Sequence, residues 1–210
     1  MLCFMCSRVY PFPVPLLFSC TRTHNNTYMF KRCYNIMPSD RYQAAVELAL
    51  ADKIKLRQLR TDIVPGTNNT IVHVTIFVVG AGRGPLVNAS LRAVAKINKN
   101  SRQINVSQHF NVQPRIVAVE KNPSAILFLN SLKTHDPKWK DVEVVECDMR
   151  CADKNVSLAG IIGGDDSHKA DIVVSELLGS FGDNELSPEC LDGFQQSGLM
   201  KESGVSIPQR

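Results

Sequence analysis

The run from Ile71 to Val79 constrains the fold more than any other stretch. It carries Val72, Val74, Ile76, Phe77, Val78 and Val79, and it empties into Gly80-Ala81-Gly82-Arg83-Gly84-Pro85. A strand with one wet face alternates apolar and polar residues; this run is too apolar for that and predicts a strand covered on both faces. Leu86 to about Ile97 then reads as a helix, with Leu86, Val87, Ala89, Leu91, Val94 and Ala95 available to pack back on the sheet. Pro85 falls in its first turn, where a missing N–H leaves nothing unpaired. The same pattern recurs. Arg115–Glu120 is a second strand, with a helix from Pro123 through Leu132. Asp141–Asp148 is a third strand, 153–169 a loop, and Asp171–Glu176 a fourth strand. Gly204–Ile207 begins a fifth. This order predicts an α/β fold, a doubly wound, Rossmann-like parallel sheet.

The intervening segments are read more simply. Ser39 or Asp40 caps a helix whose stripe is Tyr42, Ala45, Val46, Ala49 and Leu50, followed by a connection through Pro65-Gly66. Lys96–Gln113 is polar and without a firm period, and predicts an extended surface loop. Residues 1–37 mix Cys, Pro, Phe and Tyr without a period; they are left unassigned, as a disordered or non-native segment, and the domain is placed at 38–210.

Composition excludes several function classes. A net charge of +4, spread along the chain, argues against a nucleic-acid surface. Of seven cysteines, Cys3 and Cys6 form a lone C-x-x-C with no second pair at zinc spacing, so no metal is expected, and the odd count fits a reducing compartment. No apolar run is long enough to span a membrane, and Pro11, Pro13 and Pro15 interrupt the apolar N-terminus.

Three strand ends carry chemistry. Glycines at 80, 82 and 84 let the backbone turn sharply and approach a ligand closely, and the following helix points N–H groups at it. Read blandly, this is only a tight connection. Glu120 ends the next strand, where an acid can accept both hydroxyls of a ribose. It lies about 40 residues from Gly80 rather than the ~20 of dinucleotide folds, a surplus assigned to the loop at 96–113. Asp148, at the third strand end, can accept from an adenine amino group or simply cap a helix. Together they indicate an adenosine cofactor. Pro85 breaks the G-x-G-x-x-G spacing of nicotinamide sites, and no G-K-[ST] follows, so S-adenosylmethionine fits better than a phosphate-bearing nucleotide.

The fourth strand delivers Glu176, and the loop after it returns Glu185. Two carboxylates on one loop can clamp a guanidinium through its planar donors, or can be solvated loop charges.

Four stretches carry a family resemblance: Phe77 to Arg92, Ala118-Val119-Glu120-Lys121-Asn122-Pro123, Cys147-Asp148-Met149-Arg150, and Ser175 through Gly193. Over residues 40 to 208 the chain resembles the protein arginine N-methyltransferase 5 family, the type II symmetric enzymes. The resemblance implies a class I methyltransferase sheet, here lacking the family's N-terminal barrel domain and C-terminal β-barrel. It implies that Gly80, Gly82 and Pro85 line the S-adenosylmethionine turn, and that Glu120 holds the ribose. Asp148 and Met149 would hold the adenine, Glu176 and Glu185 the substrate guanidinium, and Glu189 a structural place. The stretch 180–188 resembles the symmetric type. Implied substrates are histone tails and Arg-Gly-rich RNA-associated proteins, in cytoplasm and nucleus. The family's WD-repeat partner is implied too, although its docking domain is absent here, and neither direct nucleic-acid binding nor a membrane is expected. The family's Tyr and Phe that close over the cofactor have candidates only in Thr27-Tyr28-Met29-Phe30, in poor register. The rivals are a non-catalytic chain that binds cofactor or partner only, and a nicotinamide oxidoreductase, which Pro85 disfavours.

Overall fold

A computed structural model describes residues 38–60, 69–103, 109–155, 157, 158, 160, 166–177 and 186–208. Its elements are helix α1 (Pro38–Arg60), strand β1 (Asn69–Val79), α2 (Pro85–Gln103), β2 (His109–Glu120), α3 (Pro123–His135), β3 (Glu143–Glu146), β4 (Ala170–Ser175), α4 (Ser187–Gln196) and β5 (Met200–Ile207). Short 3-10 turns lie at Pro137–Trp139, Met149–Lys154 and Asp166–His168. The unassigned segment 1–37 lies outside the described residues.

The five strands run in the order β3-β2-β1-β4-β5, and every neighbouring pair is parallel. The sheet is doubly wound, as its sequence pattern predicts. Val72, Val74, Ile76 and Val78 of β1 face one core; Phe77 and Val79 face the other. The first core is closed by Val46 and Leu50 of α1, Val87 and Val94 of α2, Leu129 of α3, and Trp139. The second is closed by Cys190 and Phe194 of α4 with Met149, Ala152 and Leu158. Phe77 and Phe194 meet edge to face at 5.4 Å, an arrangement aromatic quadrupoles favour. Chain order reverses between β1 and β4, and in such sheets the crevice for a ligand opens there, at the carboxyl ends of the strands.

Polar ties hold the sheet at its other end. The buried Asp171 carboxylate accepts from the Thr75 N–H at 2.9 Å and from Lys201 Nζ at 2.9 Å, joining β1, β4 and β5. Lys53 of α1 donates to the Ser203 carbonyl.

Some boundaries differ from the sequence reading. The loop placed at 96–113 is instead the last two turns of α2 and the first half of β2, with only 104–108 outside the described residues. Asn98 explains why. Its side chain behaves like a peptide unit, donating to Val112 O at 2.9 Å and accepting from Val112 N–H at 2.7 Å. β3 pairs only with Val117–Glu120, so Asn98 satisfies the outer flank of β2 lower down. Pro114 follows Val112 by two residues and faces that same flank, where no ladder bond is lost. Most of the wide spacing between Gly80 and Glu120 is therefore long helix and long strand. At the N-terminal end, α1 begins at Pro38, so Ser39 and Asp40 lie inside its first turn rather than capping it. β3 ends at Glu146, two residues short of the predicted strand end, because Asp148 turns the chain into a 3-10 helix. β5 begins at Met200, ahead of Gly204.

Candidate functional site

At the end of β1 the chain turns over β2. The N–H groups of Gly80 and Ala81 both donate to Val119 O at 3.0 Å. Gly80 has φ +71°, and a Cβ there would stand 2.4 Å from Leu177 Cδ2. Gly84 has φ +84°, and a Cβ there would stand 2.4 Å from the buried Trp139 ring. Both positions need glycine for conformation, and Gly84 needs it for space as well, because its neighbour is a buried ring rather than the movable end of a leucine. Trp139 is in turn held by its indole N–H, which donates to Asn88 Oδ1 at 2.9 Å. The turn is thus wedged between a side chain that follows β4 and one that precedes β3.

Glu120 is bound by three backbone donors. Oε2 accepts from Gly82 N–H at 2.7 Å, and Oε1 accepts from the N–H groups of Lys121 and Asn122, each at 2.8 Å. A carboxylate has about four acceptor sites, so the carboxylate is fixed in place and keeps acceptor capacity toward the crevice. Asp148 is a 3-10 N-cap and an ion-pair partner at once. It accepts from the Arg150 N–H at 3.1 Å and from the Arg150 guanidinium, with Nη2 at 2.5 Å. Those hydrogen bonds to Arg150 lower its pKa to about 2.

A crevice of about 510 Å³ opens over these strand ends. Its lining includes Gly80, Gly82, Pro85, Glu120, Asp148, Met149 and Glu176, the described residues to which the resemblance gives a cofactor or guanidinium role. Gly84, read with Gly80 and Gly82 as approaching the ligand, is not in that lining and packs on Trp139 instead. Glu185 lies outside the described residues, as does the Thr27–Phe30 stretch. Glu176 is the first residue beyond β4 and is exposed. Glu189 sits exposed in the first turn of α4, where its charge suits the helix dipole.

Sequence reasoning missed several walls of this crevice. Arg83, Leu177 and Cys190 all line it. Arg83 also stands 5.8 Å from the centroid of the Phe128 ring. Cys147 and Cys190 stay protonated thiols near neutral pH: burial, then the charge of Asp148, pushes Cys147 up to about 11 and Cys190 upward as well. Tyr42 of α1 rises to about 12, first from burial and then from the negative charge of Glu176, which places the start of α1 beside that carboxylate. Trp139 carried no periodic signal. The three glycines at 80, 82 and 84 hinted only that something approaches the turn, without saying from which side.

The parallel sheet, the glycine turn after its central strand and the acids after the next two strands define a Rossmann-like domain of the methyltransferase type. The chain belongs to the PRMT5 arginine-N-methyltransferase family, whose model matches residues 13–207. That span reaches further back than the motifs alone carry the resemblance. Protein arginine N-methyltransferase 5 of Oryza sativa subsp. indica is 41% identical over 167 residues, covering 80% of this chain and 20% of that relative. The Xenopus laevis protein of the same name is 41% identical over 168 residues, with the same shares. The chain therefore spans about a fifth of the length of these curated relatives. Among solved structures, Arabidopsis thaliana protein arginine methyltransferase 10 overlays with a TM-score of 0.44 at 20% identity, covering 65% of this chain and 30% of that one.

Proposed function

We propose that this chain is the S-adenosylmethionine-binding core of a protein-arginine omega-N methyltransferase of the symmetric type. One observation carries the reading: the glycine turn, Glu120, Asp148 and Glu176, drawn from four strand ends, converge on a single crevice. The residues fit the cofactor. The crevice volume falls in the range usual for small-molecule sites, about 300–1,000 Å³. The turn admits close approach, and two fixed carboxylates face donors that a nucleoside carries.

When bound, the cofactor supplies a sulfonium-activated methyl group. Everything else falls to the chain's own residues. Glu120, already held by three amides, offers its remaining acceptor site to the ribose hydroxyls without reorganising, and that preorganisation strengthens the contact. Asp148 accepts from the base, and the apolar Met149 side chain walls the same end. At the other side of the crevice Glu176, with Glu185 as its partner, receives the substrate guanidinium. An arginine side chain is protonated at any physiological pH and is a poor nucleophile. Two carboxylates binding its planar fork draw positive charge toward the nitrogens they touch. The third nitrogen is left with a lone pair better able to attack in line, so acceleration comes from positioning and electrostatics. The stretch 180–188 supports the symmetric outcome by its likeness to that type. The substrates proposed are Arg-Gly-rich RNA-associated proteins and histone tails, in cytoplasm and nucleus, with a WD-repeat protein as the family's partner.

The test is transfer of labelled methyl from S-adenosylmethionine to an Arg-Gly-repeat peptide by the purified chain, followed by acid hydrolysis of the product. The expected products are monomethylarginine and symmetric dimethylarginine. Asymmetric dimethylarginine would overturn the type. A chain that binds the cofactor but transfers nothing would be a binding core alone.

A further inference from the structure

Arg150 is exposed at 42% of its side chain, and its guanidinium grips Asp148 from the side. Its Nε–H lies 3.0 Å from Oδ1 and 3.2 Å from Oδ2, its Nη2–H lies 2.5 Å from Oδ2, and its backbone N–H lies 3.1 Å from Oδ1. Three donors therefore occupy a carboxylate that has about four acceptor sites. A side-on fork of this kind fixes the plane of the carboxylate as well as its charge. The fork therefore resists rotation of the Asp148 carboxylate about its last bond and leaves it a single acceptor direction. It lines the crevice and also borders a shallow recess of about 540 Å³ shared with Lys121, Glu146 and Asn155.

We infer that Arg150 is a positioning residue that sets the purine selectivity of the crevice, by locking Asp148 as a one-direction acceptor that admits a 6-amino group and rejects a 6-oxo group. The inference rests on the proposed cofactor reading and says which part of the base is discriminated, and by what. An exocyclic amino group gives a hydrogen to the open acceptor site. A carbonyl oxygen in the same place meets a fixed negative charge with no donor between them. A free carboxylate could turn away from that oxygen and accept from the neighbouring ring N–H of the 6-oxo base; the locked one cannot. Selectivity comes from the fork, so a lysine, which brings charge without a planar fork, does not replace it.

The experiment is calorimetric titration of the full 210-residue chain with S-adenosylhomocysteine and with its 6-oxo analogue S-inosylhomocysteine, in wild type, Arg150→Met and Arg150→Lys. A charge-assisted hydrogen bond of ordinary strength gives the wild type a preference of about 30-fold for the adenosyl ligand. In both variants the preference falls to about 5-fold or less, mainly because the inosyl ligand binds better. A preference that survives in Arg150→Met overturns the inference, as does an equal loss for both ligands, which is what a merely structural role gives. Either result leaves cofactor binding standing. Failure of the wild type to bind S-adenosylhomocysteine at all would take down the cofactor reading, and this inference with it.

Discussion

Glu120 ends β2 and Asp148 follows β3 by two residues, and the chain equips them differently. Glu120 is oriented by backbone amides, which no side-chain substitution elsewhere removes. Asp148 depends on one side chain, and that dependence is measurable. Its carboxyl titrates near 2 in the folded chain because Arg150 stabilises the ionised form. Replacing Arg150 by Met should move the midpoint up toward the ordinary value of 3.8, read from the Asp148 carboxyl carbon by NMR. The sign for stability follows from the lowered folded value. The contribution of the pair is fully present above the unfolded pKa near 3.8 and is lost as pH falls through about 2, so wild type and variant should differ in stability at pH 6 and converge below about pH 2. Glu120 and Asp148 were both legible in the sequence, because an acid ending an apolar run has few reasons to stand there. Arg150 lies in a stretch that carries the resemblance, but the sequence alone assigns it no contact. A contact between residues two apart depends on the chain leaving the strand before Asp148, whereas the sequence pattern continues the strand to that residue.

Among the elements, two close approaches determine where the crevice walls stand. Trp139 packs on Gly84, and α4 lies against the 3-10 turn so tightly that a Cβ at Gly193 would stand 2.2 Å from Met149 O. Gly84→Ala meets both a left-handed backbone and the indole ring, and should destabilise the chain by more than about 2 kcal/mol. Trp139→Phe, which removes only the bond to Asn88 and some packing, should cost about 1–2 kcal/mol. Chemical denaturation measures both, and equal effects would contradict the wedge. Gly193→Ala has backbone rather than a flexible side chain in its way. It should shift α4 and weaken cofactor affinity even where the chain remains folded. The helices were legible from their periodicity, and their ends were not. α2 runs on through Asn98, Lys99, Asn100 and Ser101 because Asn98 and Ser101 bond to β2, and propensity cannot see that tertiary contact.

For the whole molecule, the site end and the opposite end of the sheet are separately built. Asp171 and Lys201 tie β4 to β5 and, through Thr75, to β1, well away from the crevice lining. Asp171→Ala strands a buried N–H and an ammonium group, so it should lower stability by about 3 kcal/mol. The affinity of the folded fraction for S-adenosylhomocysteine should be unchanged. A loss of affinity matching the loss of stability would show that the two ends are not independent. The doubly wound sheet itself was legible because apolar runs ending in glycine or acid, alternating with helices, admit few other arrangements. The place of Glu185 in that sheet's crevice rests on its resemblance to the family's loop, since it lies outside the described residues.

The central claim is that the crevice over β1, β2 and β4 binds S-adenosylmethionine through Glu120. Calorimetric titration of the purified chain with that cofactor, repeated on Glu120→Ala, tests it most directly. The account expects saturable one-to-one binding in the wild type and a loss of at least about 30-fold in the variant, from the lost hydroxyl contact to a charged acceptor, with the melting transition of the variant still cooperative. A folded wild-type chain that takes up no cofactor, or a variant that binds as well as wild type, would contradict it.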